Sequence, residues 1–154
     1  MSEVEKKARE LGLTIPEPPK PVAAYVPGVK ISGFVYTSGQ IPLAGGELKF
    51  KGKVGAEVTL EEGYEAAKLC ALNCLGVIKS LVGDLDKIER VVKVVGFVNS
   101  APDFTMQPKV VNGASELLGA LFGDKGLHAR SAVGAGSLPL DAACEVEMIV
   151  KIKE

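Results

Sequence analysis

Strands alternating with two helices predict an α/β (α+β) protein: a two-layer sandwich in which a mixed sheet carries both helices on one face. Three observations carry that prediction. Two segments, one opening at Thr59 and one at Pro108, repeat apolar residues at three- and four-residue spacing and close on Gly83 and Gly123. Residues 91–98, VVKVVGFV, are apolar at nearly every position, as expected of a central strand covered on both sides. The final segment alternates, placing Cys144, Val146, Met148, Val150 and Ile152 on one face and Glu145, Glu147 and Lys151 on the other.

Along the chain, residues 3–11 read as a short charged helix closed by Gly12. Its thin stripe of Val4, Ala8 and Leu11 predicts docking on the body. A Pro-rich linker, IPEPPKP, follows, so residues 1–19 are assigned to a helix and linker and 20–154 to a single domain. β-rich runs around 22–25 and 33–37, punctuated by Gly28, Gly33 and Gly39, predict a hairpin. Gly45 and Gly46 mark the next turn, and ELKFKGKVG reads as a polar connection or short edge strand. The first long helix opens on a Thr59/Glu62 capping box. Its buried stripe is Ala67, Cys70, Ala71, Cys74, Ile78 and Leu81, with Glu61, Glu65, Lys68 and Lys79 facing water. The second helix, about 108–122, buries Val110, Ala114, Leu117 and Leu121.

The order is then β-β-α-β-α-β-β. Its last two strands are expected to form a hairpin turning near Ser137 and Leu138, which would set Arg130 opposite Glu145 on the less apolar face. A one-residue slip would break that pairing. Spacing alone leaves two readings open: a surface ion pair, common across antiparallel strands, or a cation and a carboxylate that do chemistry. Two helices cover only one side of the sheet, so the other side is expected to be closed by another copy of the chain.

Composition excludes several functions. Apolar residues make up 47% and charged residues 24% of 154, with net charge −1, which is ordinary for a globular protein. It offers no basic stripe for nucleic acid. No apolar run spans a bilayer, and the charged amino terminus is no signal peptide. Cys70 and Cys74 share a helical face, but His128 is the single histidine, so no second ligand pair completes a metal site. The three thiols read as buried and reduced, which implies a cytoplasmic protein. His128 reads as a strand-end surface residue.

Three stretches, AAYVPGVKISGFVYTSGQIPL, GFVNSAPDF and HARSAVGAGSLPLDAACEVEMIV, together with the element order, resemble the RidA/YjgF reactive intermediate deaminase family over residues 20–152. That resemblance implies a chorismate-mutase-like protomer in a homotrimer with clefts between subunits. It implies hydrolysis of enamines and 2-imino acids to 2-keto acids and ammonia, with no metal or cofactor. Carried over motif by motif, Arg130 is the carboxylate-binding arginine and Glu145 the water-positioning acid. Tyr25, Ser38, Gly39, Gln40 and the backbone at Ala132 are the substrate-binding positions. Glu147 is read as an outer or interface charge. The chain departs from the family at Ala132, where well-known members have Cys, and at Pro102 before Asp103 and Phe104, since members often carry an Asn shortly before that Asp-Phe pair. A helix and linker longer than usual mark a side branch. The alternatives are a non-catalytic binder of 2-keto acids or other small carboxylates and a ribonuclease, the latter disfavoured by the acidic balance.

Overall fold

The computed structural model describes residues 1–20 and 24–154. The predicted two-layer α+β sandwich is the fold found. One sheet runs in the order β1 (Gly28–Ile31), β2 (Phe34–Thr37), β7 (Cys144–Ile152), β5 (Ile88–Asn99), β6 (Ala129–Ala135). Helices α2 (Leu60–Val82) and α3 (Gln107–Phe122) cover one face. A two-residue hairpin, β3 (Leu43–Ala44) and β4 (Glu47–Leu48), sits outside this sheet around Gly45 and Gly46. No helix among the described residues is long and apolar enough to cross a membrane.

Helix α2 begins where the capping box places it. Glu62 N donates to Thr59 Oγ1 and Thr59 N to Glu62 Oε1, both at 3.1 Å. Gly83 closes it at φ +83°, a conformation open to glycine without a Cβ penalty. Its buried surface is wider than one stripe and includes Ala66, Leu72, Leu75 and Val77, because three things pack on it. The sheet lies on one side. α3 crosses so closely at Gly113 that a Cβ there would strike the Tyr64 carbonyl, and the Pro16 carbonyl rests on Gly76. Leu81, placed in the stripe from spacing, is instead 37% exposed at the last turn.

The amino-terminal helix α1 (Glu3–Glu10) docks on the body, as its stripe predicts for Val4 and Ala8, whereas Leu11 is exposed. The Glu3 and Val4 amides donate to the Asp86 carboxylate at 2.7 and 3.1 Å. Lys79, expected to face water, pairs with Glu5 at 2.5 Å, and that hydrogen bond, followed by those from Ser2, lowers the Glu5 pKa to about 2. A first hairpin forms, but its strands are β1 and β2, joined through Ser32 and Gly33, so its first strand lies at Gly28–Ile31 and not at the run around 22–25. Of the run around 22–25, residues 22 and 23 lie outside the described residues, and 24–25 form a bend.

The end of the chain differs from the sequence expectation. β6 and β7 do not pair. β5 lies between them, parallel to β6 and antiparallel to β7. Segment 136–143 therefore steps over the end of β5 instead of turning back as a hairpin. Asn99, the fully buried last residue of β5, anchors that step. Its Nδ2 donates to the Gly52 and Ala142 carbonyls and to Asp141 Oδ1, at 3.2, 3.1 and 3.0 Å, and its Oδ1 accepts from Lys53 Nζ at 2.9 Å. These bonds hold Leu140 and Asp141 at φ +59° and +60°, where non-glycine residues are rare.

Face parity also corrects the placement of Arg130. Residues paired across neighbouring strands share a side. Arg130 pairs with the buried Val94, so it points to the helices, and Ala132 follows it. Glu145 pairs with Phe97 on the opposite, open face. Within one chain the two are neither opposite one another nor on the same side of the sheet.

Candidate functional site

Glu145 stands at the start of β7, on the open face, in a cavity of about 310 Å³. Residues 37–41 shape this cavity. The Thr37 hydroxyl accepts the Met148 amide at 3.0 Å where β2 leaves β7. The chain then bends through Ser38 and Gly39 and rejoins β7 at Gln40, which exchanges backbone hydrogen bonds with Val146 at 2.8 and 3.0 Å. Ser38 Oγ donates to the Val26 carbonyl at 2.7 Å, tying this bend to the segment that carries Tyr25. Asn73 of α2 donates to the carbonyls of Ile41 and Leu43, both at 3.0 Å, and fixes the far wall.

The close approach of Gly39 to Glu145 explains the glycine. A Cβ at position 39 would lie 2.8 Å from the Glu145 carboxyl. The carboxylate is half-buried, and among the described residues it has no hydrogen-bonding or ionic partner. Burial raises its pKa, and the nearby charge of Glu147 raises it further. A carboxylate held in this way is a stronger base than one in water. Tyr25, 67% exposed, stands at the rim. The rest of the lining is largely apolar, with Pro27, Ile41, Leu43 and Pro139.

Of the positions carried over from sequence, Tyr25, Gly39, Gln40 and Glu145 thus surround one cavity, and Ser38 braces it. Arg130 and Ala132 lie on the other side of the sheet. Ala132 packs on the core, and Arg130 Nη1 donates to Asn112 Oδ1 at 2.8 Å and to Ser115 Oγ at 3.1 Å on α3. Pro102 and Asp103 form an exposed turn that does not line the cavity. Glu147 lies on the open face in a smaller hollow of about 110 Å³ with Lys93 and Tyr36.

Sequence reasoning missed Pro19 and Lys20, which line the main cavity. Their nearness to the AYVPGV motif was the available signal. It also read His128 as a surface residue, whereas the ring is half-buried and hydrogen-bonded through both nitrogens.

Residues 5–152 match the family described as YjgF/chorismate mutase-like, putative endoribonuclease. Protein TCP17 of Trypanosoma cruzi is 41% identical over 150 residues, covering 97% of this chain and 94% of its own length. Two solved structures superpose closely. Protein Atu1372 of Agrobacterium tumefaciens has 43% identity and a TM-score of 0.93, with 98% and 93% of the two chains covered. A putative endoribonuclease of Shewanella oneidensis has 32% identity and a TM-score of 0.93, with 97% and 99% covered.

Proposed function

Because this chain belongs to the YjgF/chorismate mutase-like family, we propose that it hydrolyses reactive 2-imino acids and their enamine tautomers to 2-keto acids and ammonia. The observation that carries the reading is Glu145: a half-buried carboxylate of raised pKa, without a hydrogen-bonding or ionic partner among the described residues, in a largely apolar cavity. Hydrolysing an imine needs a water held against the electrophilic carbon and a group to take its proton. Glu145 accepts that proton as the water oxygen bonds to the imine carbon. With the imine protonated, Glu145 returns that proton to the nitrogen of the resulting carbinolamine, then takes the hydroxyl proton as the C–N bond breaks and the carbonyl forms. The departing ammonia carries that proton away as ammonium. The substrate is already reactive, so roughly 10²–10⁴-fold of acid–base help suffices.

A 2-imino acid also carries a carboxylate, for which a guanidinium offers a planar two-point grip. Arg130 lies across the sheet from Glu145 in its own chain, so in this reading it comes from a neighbouring copy in a homotrimer. The open face supports such assembly: Val29, Ile31, Tyr36 and Val133 are 48%, 57%, 45% and 44% exposed, an apolar surface suited to an interface.

The test is direct. An amino-acid oxidase generates 2-iminopropionate in situ, and semicarbazide traps whatever imine remains. The protein is expected to lower the trapping. Turnover absent but pyruvate bound would favour a second reading, a small-carboxylate binding protein. The apolar Ala132, where well-known relatives carry a thiol, is the observation on that side. A Gly39→Ala chain, whose new methyl must push the Glu145 carboxyl aside, is expected to keep its thermal midpoint but lose about 10²-fold in kcat, since misplacing a reacting group by about 1 Å costs that much. Unchanged kcat in this variant would separate Gly39 from the position of the base.

A further inference from the structure

On the helix side of the sheet, at the edge strand β6, four polar side chains form a connected set that the cavity around Glu145 does not use. Asn112 and Ser115 are three residues apart on α3 and so share a face. His128 immediately precedes β6, and Arg130 is the second residue of that strand. The hydrogen bonds have one consistent direction. His128 Nδ1 lies 2.6 Å from the Gly126 carbonyl, which can only accept, so Nδ1 carries the proton. The neutral ring then presents Nε2 as an acceptor, and Ser115 Oγ, at 2.8 Å, donates to it. With its proton committed to His128, Ser115 turns lone pairs toward Arg130 and accepts from Nη1 at 3.1 Å. Asn112 Oδ1 accepts the other Nη1 hydrogen at 2.8 Å.

Both hydrogens of Nη1 are thereby occupied. The Nε–H and the two Nη2 hydrogens have no partner among the described residues. Nε and Nη2 lie along one edge of the guanidinium, where two parallel N–H groups match the two oxygens of a carboxylate. The seat is firm at its base, because Gly126 lies against the Leu118 carbonyl of α3 with no room for a Cβ. Burial lowers the pKa of the half-buried His128, the Gly126 hydrogen bond opposes it, and Arg130 and Arg90 lower it further, a net direction that agrees with the neutral ring the bonding requires.

We propose that Asn112, Ser115 and His128 are positioning residues that hold Arg130 by Nη1, so that its Nε/Nη2 edge is preorganised to receive the carboxylate of a 2-imino or 2-keto acid. The proposal rests on the deaminase reading for its ligand and adds three residues to it. They act through Arg130 and touch no reacting atom. Their effect therefore falls on binding and not on the bond-making step.

The test is a double-mutant cycle on the whole protein, with pyruvate as the calorimetric probe and 2-iminopropionate as the kinetic one. Ser115→Ala keeps helix propensity high and is expected to fold like the parent. It should raise the pyruvate Kd and the KM about tenfold, as for loss of a hydrogen bond to a charged group, with kcat within about twofold. Ser115→Thr restores the hydroxyl and should recover most of the loss, and Asn112→Ala should behave like Ser115→Ala. In an Arg130→Lys background, Ser115→Ala should add nothing, since its effect runs through the missing guanidinium. Parent-like pyruvate binding by Ser115→Ala, or an equal loss in the Arg130→Lys background, would overturn the clamp while leaving the deaminase reading intact. Parent-like binding by Arg130→Lys itself would remove Arg130 as the carboxylate grip, and the clamp with it.

Discussion

Arg130→Lys protein mixed with Glu145→Gln protein is expected to recover imine hydrolysis that neither variant has alone. Each single variant should be nearly inactive. Lysine keeps the positive charge but gives up the planar two-point grip, and glutamine cannot take the proton from water. In one chain the two side chains lie on opposite sides of the sheet, Arg130 toward α3 and Glu145 on the open face. A site using both then needs two copies of the chain. When the variants are co-expressed and assemble at random, about one quarter of the intersubunit clefts take a native arginine from one subunit and a native glutamate from the next. The measurement is the semicarbazide-trapping rate per subunit, compared with each variant alone and with the parent. A mixture as inactive as its components would mean that no cleft draws Arg130 and Glu145 from different chains. Sedimentation of the same samples supplies the oligomeric state, expected to be a trimer.

Glu145→Gln is the second large effect. The substitution is nearly isosteric, and the amide still fits beside Gly39, where a Cβ would already lie 2.8 Å from the carboxyl. The variant should bind pyruvate about as well as the parent and turn over imine roughly 10²–10⁴-fold more slowly. The parent's pH profile follows from the same group. Glu145 acts as a base only when ionised, and burial with the neighbouring Glu147 charge raises its pKa. Its kcat should therefore be full at high pH and fall as pH drops through a value above the usual carboxylate range. Glu145→Gln should have no such acid limb, and Glu147→Gln should move it to lower pH by removing a like charge. An unshifted limb in Glu147→Gln, or one that persists in Glu145→Gln, would assign the titration to another group.

Period and end signals made much of this molecule readable from residues alone. The Thr59/Glu62 box, the Gly83 and Gly123 stops and the three- to four-residue apolar spacing define α2 and α3 within a residue or so. The two-residue alternation of β7 assigns each of its side chains to the correct face. Each of these signals is local: the residues that state it are the residues that form the element. Glu145, Gly39, Gln40 and Tyr25 are gathered through the family resemblance of their motifs, and the Gln40–Val146 bridge is what physically brings the TSGQ turn to the strand that bears Glu145.

The partner of β6 was not readable in this way. Strands β6 and β7 are consecutive in the chain and separated by a turn-like segment, which favours a hairpin on sequence grounds. Tertiary structure decides otherwise. α3 carries the chain back to lay β6 parallel to β5, and the buried Asn99 fastens segment 136–143 across the end of β5 so that β7 lands on the far side. That choice sets the helix side for Arg130, next to Asn112, Ser115 and His128, and leaves Glu145 on the open face. Alternation along a strand says which residues share a face, since successive side chains must point to opposite sides. Which way that face points depends on the neighbouring strand, and the neighbour is chosen by contacts between residues far apart in sequence.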